Sequence, residues 1–184
     1  MGPTGVIHLV SAIISLVIGP IIFFTTKGTR LHIMLGRTYV AAMLALNISA
    51  LFIYKLFGGF GVFHILIPVS LIPLTYGTAA VFFKRPQAQW LSNHYRAMCW
   101  SYIGLVAAGV AESFVRIPLL RNISVFGEWT DFGVFVGMLA LVVCVSGGFL
   151  VVKNEKKVLA NLTRPEERTR HNQSLNPTGN RPAS

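Results

Sequence analysis

The 184 residues carry 16 Lys and Arg against 6 Asp and Glu, a formal net charge of +10, yet only 12% are charged and 53% are hydrophobic. With a mean hydropathy of +0.62, this composition excludes an ordinary soluble domain and fits a chain folded in lipid. The basic excess would suggest a nucleic-acid partner only if it formed a patch, and it instead lies in short segments between apolar runs.

The first apolar run, residues 6–26, opens with Gly5-Val6-Ile7-His8-Leu9 and passes Gly19-Pro20 before Lys27. It has no basic n-region and exceeds the length of a signal-peptide core, so a retained helix is expected. A loop with Lys27, Arg30 and Arg37 carries His32 and leads into the second run, residues 38–57. The third, residues 61–83, opens with Gly61-Val62-Phe63-His64-Ile65, repeating the first signature, and includes Pro68, Pro73 and Gly77. A second basic loop, with Lys84, Arg85 and Arg96, carries His94 and precedes the fourth run, residues 97–117. The fifth run, residues 131–152, is rich in glycine and has no counterpart in the repeat. About 20 apolar residues cross a bilayer as a helix, and open sheet edges are not tolerated there. The expected fold is all-α, a polytopic transmembrane bundle of about five spans filling residues 1–152, the first four a duplicated two-helix hairpin.

Lysine and arginine sort by side. Both loops with histidine and the segment from Lys153 are basic, whereas the other side has only Lys55, Arg116 and Arg121. The positive-inside rule then places the N-terminus outside and the C-terminus in the cytoplasm. Residues 153–184 are expected to form a basic cytoplasmic tail, with residues 153–163 extending the last helix before Pro165 and disorder from Arg170 onward.

At 100° per residue, His94 shares a helix face with Ser101, Ala108 and Glu112, with Arg116 close by. His32 aligns with Tyr39 and Met43, and His8 with Ser15 and Gly19. Such faces turn away from lipid, which offers polar groups no hydrogen bonds. Two histidines at similar depth on neighbouring helices can hold a haem b iron through axial imidazoles. His32 with His94 would make one such site, and His8 with His64 another on the opposite side. His32 and His94 are also candidate ligands for copper or zinc. An interfacial imidazole equally serves with no ligand, and Glu112 with Arg116 forms an i, i+4 polar pair that neutralises itself. Cys99 and Cys144 lie in apolar runs without a spaced partner. No hydrolase, P-loop or dinucleotide motif is present, so any enzymatic role would be redox.

The strings Leu31-His32, Leu35-Gly36-Arg37-Thr38-Tyr39-Val40, Phe60-Gly61-Val62-Phe63-His64, Asn93-His94-Tyr95-Arg96-Ala97-Met98 with Ser101-Tyr102, and Arg116 resemble the bacterial membrane-protein family known as domain of unknown function 2306. The resemblance covers most of residues 5–120 and implies a multi-pass protein of the bacterial cytoplasmic membrane, with His32 and His94 its marked positions. Many members have His-Arg where this chain has His32-Ile33 and His94-Tyr95, and the family supplies no activity. The leading functional expectation is a bis-histidine haem b or metal-binding electron-transfer protein with membrane redox or assembly partners and no nucleic acid. The other is a small transporter or membrane assembly factor without a cofactor.

Overall fold

A computed structural model of the chain describes residues 2–53, 62–83, 89–116 and 129–175, with side chains described over 2–53, 67–83, 89–113 and 134–160. Five helices form there: α1 Pro3–Phe24, α2 Arg30–Ala50, α3 Val62–Phe83, α4 Trp90–Arg116 and α5 Trp129–Leu175. α1 packs on α2 and α3 on α4, giving two hairpins, and α5 lies against α4. Smaller interfaces between α2 and α3 and between α1 and α4 join the hairpins into one bundle.

Its centre is formed by Tyr39, Met43, Leu46, Leu74 and Leu105, with Leu16, Ile22 and Met98 packed around them. A second cluster, Cys99, Ile103 and Val151, joins α4 to α5. Small residues set these approaches, because association in lipid depends on close van der Waals packing more than on water exclusion. A Cβ at Gly147 would come within 2.8 Å of Ile103, and one at Gly148 within 2.7 Å of Trp100. The other side of α5 exposes Val134, Met138, Leu141, Val145 and Phe149, a surface suited to acyl chains.

By length and composition, α1, α2 and the stretch Val134–Ala160 of α5 can each cross a membrane. The described apolar stretch of α3, Ile67–Phe83, is shorter. The described side chains of α4, residues 90–113, include no stretch as apolar as these. α4 contacts α1, α3 and α5, so several of its faces meet protein and need not be lipophilic. Its buried positions include Ala97, Cys99, Ser101, Ile103, Leu105, Ala107 and Ala111.

Two boundaries differ from the hydropathy reading. α2 and α4 start at Arg30 and Trp90, well before the apolar runs at residues 38 and 97, so His32 sits in the first turn of α2 and His94 in the second turn of α4 instead of in loops. Backbone hydrogen bonding and capping, not apolarity, decide where a helix begins. α5 continues through Pro165 to Leu175. The expected break at Pro165 and the largely disordered tail are thus corrected as far as Leu175. One proline removes a single backbone donor, and the Glu- and Arg-rich residues 166–170 favour helix beyond it. Residues 176–184 lie outside the described residues.

Candidate functional site

The turn between α1 and α2 builds the first half of the site. Lys27 Nζ donates to the carbonyl oxygens of Ile22 and Phe23, each at 2.7 Å, and of Thr25 at 3.0 Å. It thereby satisfies acceptors that the end of α1 leaves without helical partners. Burial lowers the Lys27 ammonium from the usual lysine range, and closeness to Cys99 partly offsets this. Gly28 takes φ +79°, a left-handed conformation open to glycine at no steric cost. Thr29 Oγ1 then accepts the His32 backbone N–H at 3.2 Å and donates to Thr26 O at 2.9 Å. The N-cap therefore fixes His32 in the opening turn of α2.

The His32 ring is partly buried. Its Nδ1 is buried with no hydrogen-bond partner, and Lys27 and His94 are its ionisable neighbours. His94 Nδ1 lies 2.8 Å from Gly77 O. A carbonyl oxygen only accepts, so His94 Nδ1 carries the hydrogen, and in the neutral ring Nε2 keeps its lone pair. Gly77 permits this geometry: a Cβ there would lie 3.0 Å from Ala97 Cβ and 3.1 Å from Met98 Sδ. The equivalent glycine of the first hairpin, Gly19, also faces α4, where an added Cβ would collide with the ring of Tyr102. The bundle thus brings His32 and His94 together at one end.

His8 lies at the other end, with Nδ1 3.3 Å from Leu46 O and 3.2 Å from Ser49 Oγ. Its Nε2 is 3.6 Å from Glu112 Oε2. The expected partner of His8 was His64, and that of Glu112 was Arg116. The side chains of His64 and Arg116 lie outside the described residues. Both ring nitrogens of His8 thus face protein groups.

Polar side chains line the bundle between these ends. Ser101 Oγ donates to Met98 O at 2.9 Å, so the Tyr39 hydroxyl, 3.1 Å away, must donate to Ser101. Asn47 Nδ2 donates to Met43 O at 2.8 Å, and Asn47 Oδ1 accepts from Ser70 Oγ at 2.7 Å. Ser15 Oγ is fully buried without a hydrogen-bond partner.

Sequence reasoning missed one cluster. Glu155, buried at 6% exposure, accepts from Ser92 Oγ at 2.6 Å and from Arg96 Nε at 2.8 and 2.7 Å. The available signal was a single acidic residue among Lys153, Lys156 and Lys157. Among the described residues, no group of three or more His, Cys, Asp or Glu side chains is placed to hold a metal ion.

A bundle with lipophilic outer faces, small-residue interfaces and polar side chains turned inward defines an α-helical integral membrane protein. The chain belongs to the DUF2306 family of predicted membrane proteins, whose model matches residues 5–152 and so extends into α5. No curated protein and no solved structure matches it.

Proposed function

We propose that the protein carries electrons in the bacterial cytoplasmic membrane, where His32 and His94 would hold a haem b. In this reading the N-terminus is outside, the C-terminus is cytoplasmic, and the partners are membrane redox proteins. The observation that carries it is the buried Nδ1 of His32, without a hydrogen-bond partner beside His94. An unmet polar atom of this kind costs roughly 1–3 kcal/mol, which a ligand would offset. The hydrogen bond from His94 Nδ1 to a backbone carbonyl is the support that metal-bound imidazoles commonly have.

A haem needs only two protein ligands because its porphyrin supplies four nitrogens, whereas zinc or copper needs a fuller protein set. The group would supply one-electron chemistry when bound. Around it, Gly77 O orients His94, the Thr29 cap orients His32, and the apolar bundle excludes water. The outer pair is not carried into this reading, since His8 Nε2 faces Glu112.

The test is an optical spectrum of protein purified from membranes supplied with haem, with elemental analysis. A Soret band lost in both His32→Ala and His94→Ala is expected. No Soret band and no iron in the wild type would sink the proposal. A second reading, a small transporter or assembly factor without a cofactor, is favoured by the buried, unpartnered hydroxyl of Ser15 between the helices. It predicts a purified protein free of haem and metal.

A further inference from the structure

The contact between His8 and Glu112 constrains where protons lie. His8 Nδ1 is within reach of Leu46 O and Ser49 Oγ. The carbonyl only accepts. Ser49 Oγ commits its own hydrogen to Leu46 O at 2.9 Å, so it too can only accept from the ring. Nδ1–H is thus fixed from two sides, leaving Nε2 to meet Glu112 Oε2 at 3.6 Å.

A bare nitrogen lone pair facing a carboxylate would be repulsive in this half-buried place, where the side chains are only 15% and 32% exposed. One proton between the pair removes the repulsion. It resides on Nε2, giving imidazolium and carboxylate, or on Oε2, giving neutral imidazole and carboxylic acid. Transfer breaks an N–H bond and forms an O–H bond, and the pair's net charge stays zero. Neither form leaves an unbalanced charge, which is the costly condition inside a membrane bundle.

We propose that His8 and Glu112 form a proton-binding site, holding one exchangeable proton where α1, α2 and α4 meet. α1 has no other titratable side chain. α2 contributes Asn47 and Ser49, which do not titrate, and Tyr54 and Lys55 beyond its end lie outside the described residues. His64 of α3 and Arg116 of α4 stand at the same end of the bundle, their side chains also outside the described residues. Arg116, one turn beyond Glu112, would favour the carboxylate form when paired with it. The site is independent of the histidines proposed for haem.

Infrared difference spectroscopy of the full chain in lipid nanodiscs, titrated with acid, tests the proposal. The expected result is a carboxyl C=O band that is lost in Glu112→Gln, retained in Glu112→Asp, and moved in midpoint by about one pH unit in His8→Gln. Nitrogen NMR of labelled histidine should show one ring with Nδ1 protonated throughout and Nε2 switching. The same signals are expected in His32→Ala and His94→Ala, so loss of the haem reading would leave them intact. A carboxyl band identical in the wild type and Glu112→Gln, or one unmoved in His8→Gln, would overturn the proposal.

Discussion

His94 donates its Nδ1 hydrogen to the carbonyl oxygen of Gly77 at 2.8 Å, tying the N-terminal part of α4 to the body of α3. The bond depends on the closeness of the two helices, and that closeness depends on the missing side chain of Gly77. Gly77→Ala must displace Met98, which is flexible, and Ala97 Cβ, which is not. The expected net loss is about 1 kcal/mol after the helix-propensity gain of alanine, with a larger loss for Gly77→Val. Thermal unfolding in detergent measures both. A Gly77→Val protein as stable as wild type would contradict the packing account.

Thr29→Ala should remove the cap that receives the His32 N–H, costing about 1 kcal/mol. Thr29→Ser should recover most of it, because serine supplies the same acceptor. Hydrogen exchange at the His32 amide gives a local readout: faster in Thr29→Ala and near wild type in Thr29→Ser.

The Tyr39 hydroxyl and Ser101 are buried together, so neither has water as a substitute partner. Tyr39→Phe and Ser101→Ala are each expected to destabilise the bundle by about 0.5–1 kcal/mol. The double variant should lose less than the sum of the two. Strict additivity in unfolding measurements would show that the hydrogen bond contributes nothing of its own.

Arg96 and Glu155 are unequal partners: side-chain exposure is 58% for the guanidinium side and 8% for the carboxylate. Arg96→Gln strands a buried carboxylate, whereas Glu155→Gln leaves an arginine that can turn to water. The first should cost about 1–2 kcal/mol, discounted from a fully buried pair because Arg96 is half exposed, and the second less. A reversed order in thermal unfolding would rule out this explanation.

The helical class, the two hairpins and the inward faces were legible because lipid imposes long apolar runs and turns polar residues toward protein. Ser15, Tyr39, Met43 and Ser101, aligned with the histidines by helical periodicity, are all buried in the bundle. The starts of α2 and α4 were not legible from hydropathy, since Thr29 and the polar turn at Ser92 to Arg96 form helix without being apolar. Periodicity also placed His8 and Glu112 on inward faces, but it relates residues only within one helix. Their meeting depends on how α1 crosses α4. Glu155 was hidden for the same reason: its partners lie about 60 residues earlier, and a lone acid in a basic stretch reads as solvated.

The 47 residues of α5 form a rod of about 70 Å at helical rise, while a hydrocarbon core is only about 30 Å thick. The helix therefore runs on past Ala160, the end of the stretch that can cross a membrane. Gly147 and Gly148 seat it in the bundle, and Glu155 braces it against α4 near the point of emergence. A tilt of α4 would carry α5 with it through the contacts at Gly147, Gly148 and Glu155.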